Sequence, residues 1–138
     1  MYSWLVGRVA AFLIGRLNAG DPRPIVRMFA RDGVLVFPGR SSFAGEHRGR
    51  PAVTAWFERF VALRPRFEIH DVGAAGPPWN LRAYVHFTDR IELPDGGPSY
   101  VNHGVIRLRM RWGFVVEDRT YLDTQAVAAL DERLGLTR

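Results

Sequence analysis

The chain has 138 residues, is 47% hydrophobic and 12% aromatic, and carries a formal net charge of +5. This composition predicts one globular domain over residues 1–138 and excludes disordered, collagen-like and coiled-coil chains. The absence of Cys excludes thiol nucleophiles and zinc–thiolate sites, and a catalytic Lys is excluded because all 19 basic residues are Arg. Carboxylates, His, Tyr, Asn and Arg therefore remain as the groups that could perform chemistry.

The spacing of apolar residues changes from helical to strand-like along the chain. Leu5, Val9, Phe12 and Leu17 recur at helical spacing, whereas the second half alternates with period two between Gly- and Pro-rich turns. The predicted elements are, in chain order, helices over 3–18 and 22–31, a strand over 34–37, a loop to Arg48, a helix from Pro51 to before Pro65, strands over about 66–72, 80–93, 99–111 and 114–123, and a helix over 125–134 capped by Asp123. This order predicts an α+β fold.

Three segments on these elements resemble the nuclear transport factor 2-like superfamily and, within it, the SnoaL-like group. They are Met28–Val34, the helix start Gly49–Val53, and Arg119–Asp123. The resemblance implies a cone-shaped, curved antiparallel sheet packed on three helices, the cystatin-like arrangement, with a pocket inside. It also implies relatives such as polyketide cyclases, ketosteroid isomerases and limonene-epoxide hydrolases.

One strand carries the residues that suggest catalysis. Thr88-Asp89-Arg90-Ile91-Glu92 resembles the Thr-Glu-Arg-x-Asp stretch of limonene-epoxide hydrolases, in which the Arg and two carboxylates activate water and protonate the epoxide oxygen. The second carboxylate of that family would fall at Thr120, so Asp118, on the same face of its strand, is expected to replace it. We therefore predict Arg90, Glu92 and Asp118 as a catalytic set in the pocket.

Further residues are predicted to contact the substrate. The resemblance places Leu35 and Phe37 where limonene-epoxide hydrolases have Tyr and Asn, and it makes the helix after Pro51 a pocket wall. The expected substrate-binding residues are His86, Asn102, Thr120, Leu35, Phe37, Trp56 and Phe60. No His pair has metal-ligand spacing, so no metal is expected. The expected general acid–base chemistry uses side chains alone, so no organic cofactor is expected either.

The pattern of the same strand also supports a different orientation. Val85, Phe87 and Ile91 form an apolar side, and burying that side would leave His86, Thr88, Arg90 and Glu92 in water. The prediction is therefore an acid–base enzyme acting on a compact hydrophobic carbonyl or epoxide, and the alternative is a non-catalytic binding or dimerisation module of the same fold.

The expected partners are a small hydrophobic molecule and a second copy of the chain, in the cytoplasm. The longest apolar run near the start of the chain is too short to span a bilayer, so no membrane partner is expected. Arg107, Arg109 and Arg111 alternate along one strand, and we interpret them as a solvated face rather than a nucleic-acid site, so no nucleic acid is expected.

Overall fold

A computed structural model of the chain describes residues 2–136. It contains four α-helices and six strands among these residues. In chain order they are α1 (Tyr2–Asn18), α2 (Arg23–Arg27), β1 (Phe29–Phe37), β2 (Gly45–Arg48), α3 (Arg50–Val61), β3 (Arg66–Ala75), β4 (Leu81–Ile91), β5 (Tyr100–Arg111), β6 (Phe114–Leu122) and α4 (Thr124–Leu134), with a single 3₁₀ turn over Pro78–Asn80 between β3 and β4.

The six strands form one curved, unclosed sheet in the order β2-β1-β6-β5-β4-β3. All neighbouring strands are antiparallel except β1 and β6, which are parallel. The sheet is therefore mixed rather than purely antiparallel as predicted. A parallel pair needs a long crossover, and here the chain between residues 38 and 113 supplies it. The α+β class and the packing of helices on a curved sheet are confirmed.

The structure differs from the predicted elements mainly in the first half of the chain. β1 begins at Phe29, so the short helix ends at Arg27 instead of Arg31. Phe29 is fully buried and pairs with Val115 on β6, and this tertiary contact outweighs the local helical pattern. β2 lies in the stretch to Arg48 that the sequence predicts as loop. Its four residues are mostly exposed and show no apolar alternation.

Helix α1 is attached to the edge strand β3 at both of its ends. The side-chain amide of Asn18 donates to the carbonyl of Phe67 at 3.0 Å and accepts from its N–H at 2.7 Å, as a neighbouring strand would. At the other end, Ser3 Oγ lies 3.3 Å from the backbone N–H of Ala74. None of the helices described here is long and apolar enough to cross a membrane.

Helix α4 begins as the sequence predicts. The Asp123 side chain accepts hydrogen bonds from the backbone N–H groups of Gln125 and Ala126, and Gly135 ends the helix in the left-handed conformation. Asp131 joins α4 to the loop between β1 and β2. Its carboxylate accepts hydrogen bonds from the Ser42 N–H at 2.5 Å and the Ser42 hydroxyl at 2.8 Å. These contacts hold α4 across one end of the sheet.

The helices cover only one face of the sheet, and β4 shows which face that is. Val85, Phe87 and Ile91 are buried under the helices, whereas His86 and Arg90 are exposed on the opposite, outer face. The core therefore lies between the inner face and the helices. It includes a cluster of buried aromatic rings on α3 and the loop that precedes β2, namely Phe43, Trp56, Phe57 and Phe60.

Candidate functional site

The space between the helices and the inner face of the sheet contains two adjacent cavities. The wide lobe, of about 230 Å³, lies under α1 and α2. The narrow lobe, of about 60 Å³, extends from there towards α3 and α4. Four residues line both lobes, namely Ile14, Ile25, Ile106 and Asp118. The two lobes therefore form one candidate site, and Asp118 lies in the wall that they share.

Asp118 is the only ionisable residue that lines the wide lobe within residues 2–136. It lies on β6 beside Leu35 of β1 and Leu108 of β5, and only 7% of it is exposed. Burial, followed by repulsion from the Glu117 carboxylate, raises its pKa from the usual 3.8 to about 7. The site therefore holds a carboxyl group that is poised to gain or lose a proton near neutral pH.

A second carboxyl group lines the narrow lobe. Asp89 lies on the inner face of β4 opposite Asn102 of β5, and only 3% of it is exposed. Burial raises its pKa from 3.8 to about 7. Its Oδ1 atom is buried without a hydrogen-bonding partner among the described residues. A buried polar atom without a hydrogen bond costs free energy. A ligand that donates a hydrogen bond to this atom would remove that cost.

Tyr100 also lines the narrow lobe, and Asn102 contacts it from beside the cavity. The Asn102 side-chain amide donates to the Tyr100 hydroxyl at 3.0 Å and to the Asp123 carbonyl at 2.9 Å. Burial and the Asp89 carboxylate raise the pKa of Tyr100, so its hydroxyl stays protonated. Since that hydroxyl accepts from Asn102, its own proton is free for another acceptor.

Five of the predicted substrate-binding residues line the narrow lobe, and one supports it. The lining residues are Leu35, Phe37, Trp56, Phe60 and Thr120. The indole N–H of Trp56 donates to the Phe43 carbonyl at 2.9 Å, so Trp56 presents an apolar ring to the cavity. Asn102 is buried beside the cavity, where it holds Tyr100 and the start of α4 instead of lining the lobe.

The structure does not bring Arg90 and Glu92 together with Asp118. Both are exposed outside the cavity, and Glu92 accepts a hydrogen bond from the Ser99 hydroxyl at 2.5 Å. His86 is also on the outer face, where its ring lies 5.1 Å from that of His70. The expectation that these three side chains face the pocket is therefore wrong. The alternation of β4 buries its apolar side, because burying Arg90 instead would remove its charge from water.

The sequence analysis missed Asp89 and Tyr100. Asp89 stands between Thr88 and Arg90, and in that polar run it resembles one more surface residue. The signal that could have found it is its position two residues from both Phe87 and Ile91, on the apolar side of the strand. A lone carboxyl in an apolar alternation is a candidate for a perturbed pKa.

The outer face of the sheet carries a second polar cluster. The Thr88 hydroxyl lies 2.6 Å from His70 Nε2 and 2.9 Å from His103 Nδ1, so it bridges the two rings across three strands. Within the part of the chain that the structure describes, no three His, Asp or Glu side chains are grouped so as to hold a metal ion. The cluster is therefore a hydrogen-bonded feature of the exposed sheet face.

Comparisons with known proteins agree with this architecture. The sequence pattern of the SnoaL-like domain matches residues 9–118. No curated protein matches the chain.

Solved structures with the same fold cover most of the chain. Bal32a, from a soil-derived mobile gene cassette, is 20% identical, with a TM-score of 0.77 over 94% of this chain and 98% of its own. A nuclear transport factor 2-like protein of unknown function from Burkholderia pseudomallei is 20% identical, with a TM-score of 0.73 over 91% and 93%. SalBIII, an epoxide hydrolase/cyclase-like enzyme of pyran ring formation in salinomycin, is 16% identical, with a TM-score of 0.71 over 87% and 92%.

Proposed function

Because the chain belongs to the SnoaL-like family, whose fold encloses a pocket of this kind, we propose that it is an enzyme that transfers protons within a compact, mostly apolar molecule. The observation that carries this proposal is Asp118, a buried carboxyl with a pKa of about 7 and the single ionisable group described in the wall of the wide lobe. A pKa near the working pH is what general acid–base catalysis requires.

Asp118 would act both as a general base and as a general acid. The ionised carboxylate takes a proton from an acidic C–H or O–H of the substrate, and the protonated carboxyl gives a proton to a carbonyl or epoxide oxygen. Proton transfer by a positioned group of this kind contributes roughly 10²–10⁴-fold in rate. The apolar wall, built by side chains such as Val85 and Leu108, holds the carbon skeleton and excludes water that would screen the charges.

Asp89 and Tyr100 would serve the polar end of the substrate in the narrow lobe. Tyr100 is a neutral donor that Asn102 orients, so it would hydrogen bond to an oxygen on which negative charge develops. Asp89 would accept a hydrogen bond from a substrate hydroxyl through its unpaired Oδ1 atom, or would itself carry a proton in addition to the one that Asp118 transfers. This pair replaces the Arg90 and Glu92 roles that the sequence suggested.

The second candidate function is a non-catalytic module that binds an apolar molecule. The observation that favours it is the wall of the wide lobe, which is apolar apart from Asp118 across the described residues. The ligand would then be held by burial of its surface alone. SalBIII, a cyclase-like enzyme with the same fold, supports the catalytic alternative by similarity of fold only.

Two variants separate these functions. We expect Asp118→Asn to lower turnover of a panel of compact enones, ketones and epoxides by roughly 10²-fold or more, and Asp71→Asn, an exposed outer carboxyl, to leave turnover unchanged. Binding of the neutral fluorescent probe N-phenyl-1-naphthylamine should persist in both. Probe binding without turnover of any compound by the unaltered protein would instead support the binding module.

We further propose that the protein forms a homodimer through the outer face of the sheet. Tyr84, Val101 and Tyr121 are exposed on that face, where association would remove apolar surface from water. Light scattering coupled to size exclusion gives the mass, and Val101→Glu is expected to shift it towards the monomer. A cytoplasmic location stays a prediction that cell fractionation can check.

A further inference from the structure

Three of the four Trp residues are exposed at one end of the molecule. Trp4, Trp79 and Trp112 are 71%, 56% and 64% exposed, whereas Trp56 is buried in the core. Three separate segments meet there: the start of α1, the 3₁₀ turn before β4, and the turn between β5 and β6. The ring centroids of Trp79 and Trp112 lie 5.8 Å apart, and the backbone N–H of Trp112 donates to the Pro78 carbonyl at 2.8 Å.

These Trp residues surround one side of the wide lobe. Leu5, Leu81 and Gly113 line that lobe, and each is within two residues of an exposed Trp. Leu5 is itself 53% exposed. We call Trp4, Trp79 and Trp112 together with Leu5 and Phe114 the Trp rim. Contiguous exposed apolar patches of this kind mark surfaces that bind a partner.

The chain around the Trp rim is positive. Residues 2–20, 72–88 and 96–116, which supply the rim, contain no Asp or Glu. Arg82 on β4 lies directly opposite Arg109 on β5, a like-charge pair that the sheet has to tolerate. The guanidinium of Arg8 stacks 5.5 Å over the Trp4 ring. Glu117, the next carboxylate along the chain, lies opposite Arg109 in the sheet register and forms its ion pair with Arg107 at 3.2 Å.

We propose that the Trp rim docks on the surface of a bilayer that contains anionic lipid. Indole rings with an apolar body and a polar N–H partition to the headgroup region, and Arg side chains around them are attracted to anionic headgroups. A second copy of the chain docked rim to rim would bring Arg8, which stacks on Trp4 of the rim, towards its own counterpart, so like-charge repulsion opposes that occupant.

Docking in this orientation turns the wide lobe towards the lipid. An apolar ligand dissolved in the bilayer then reaches the cavity without crossing water. The short apolar run near the start of the chain predicts no spanning segment and therefore no membrane partner. The rim, in contrast, is assembled from residues far apart in the chain that only the fold brings together. This inference does not depend on whether the cavity performs chemistry.

Vesicle flotation tests the proposal with defined lipids. We expect the full chain to float with vesicles of equal parts phosphatidylcholine and phosphatidylglycerol, and to float less in high salt because screening weakens the attraction of Arg for anionic lipid. Binding to pure phosphatidylcholine should be weaker. Trp79→Gln/Trp112→Gln should reduce the partition coefficient about tenfold, since two half-exposed rings lose their burial in lipid.

Two matched variants make the result decisive. Phe12→Gln removes an aromatic ring that is 61% exposed on α1, outside the Trp rim and the proposed dimer face, and should bind like the unaltered protein. Arg82→Gln/Arg109→Gln should lose the preference for phosphatidylglycerol. Unchanged melting temperatures confirm that the variants are folded. The proposal is overturned if the protein binds neither vesicle type, if the Trp variant binds as well as the Phe12 variant, or if the rim binds soluble polyglutamate but no vesicle.

Discussion

Replacing Asp118 by Asn keeps the size of the side chain but removes its ability to ionise inside an apolar cavity. In the folded protein the pKa of Asp118 is raised from 3.8 to about 7. The folded state therefore retains a proton that the unfolded chain has already released. Its contribution to stability is complete below the unfolded pKa and is lost as the pH rises towards and through the folded pKa.

The size of the effect follows from the two pKa values. Ionising a carboxyl whose pKa moves from 3.8 to about 7 lowers the free energy of unfolding by about 4 kcal/mol in total. Roughly 3 kcal/mol of this loss falls between about pH 5 and about pH 8. Asp118→Asn should remove this part of the pH dependence and so become more stable relative to the unaltered protein as the pH rises.

Urea unfolding at a series of pH values measures this difference through the midpoint and slope of each curve. Asp89, whose pKa is raised to about 7 by burial, should contribute a similar loss, so Asp118→Asn flattens the profile in part and Asp118→Asn/Asp89→Asn flattens it further. Asp71→Asn, on the exposed side of β3, is the control and should follow the unaltered protein. If Asp118→Asn loses stability with pH as steeply as the unaltered protein, Asp118 does not ionise in an apolar site and the reasoning fails.

Three other substitutions test how the cavity is built, each by its unfolding free energy. Asp131→Ala leaves the Ser42 N–H without its acceptor and should lower the unfolding free energy by about 1–3 kcal/mol. Asp131→Asn keeps one acceptor oxygen and should cost less. Equal losses in the two variants would contradict this account. Gly104→Ala would place a Cβ 2.6 Å from the Tyr121 carbonyl oxygen and should cost about 1–3 kcal/mol, and a neutral result would show that the sheet shifts there easily. Asn102→Ala removes the amide that joins β5 to the start of α4 and should cost about 3 kcal/mol, and a loss below about 1 kcal/mol would show that the α4 junction does not depend on it.

The local elements of this fold could be predicted because their causes are local. The period-two pattern after Pro65 predicted β3 to β6. The predicted strands over 99–111 and 114–123 leave Trp112 and Gly113 as the turn between them, and both residues adopt positive φ values, of 51° and 84°. Asp123 was predicted as the cap of α4 because its carboxylate needs only the next two or three N–H groups. Each of these features depends on neighbours within one or two turns of chain.

The candidate site was less predictable because a strand pattern does not say which face a ligand will see. The resemblance predicts Arg90 and Glu92 directly, and both lie outside the cavity. Asp118, expected from the strand face to replace the carboxylate missing at Thr120, lies in the cavity wall. The alternation of Phe87 and Ile91 predicted the buried side of β4 correctly. It also placed Asp89 on that side, but only the packing of helices over the sheet shows that the neighbourhood is a cavity and not a solid core.

The sequence by itself determined the composition-based exclusions, the α+β order of elements and the family, because hydrophobic periodicity and turn chemistry act over short stretches of chain. Only the tertiary structure decided which polar residues meet. Asp89, Tyr100 and Asp118 come from three different strands, and the exposed Trp residues come from segments more than thirty residues apart. Their burial, raised pKa values and shared surfaces arise from contacts between these segments, and such contacts leave no pattern within any one of them.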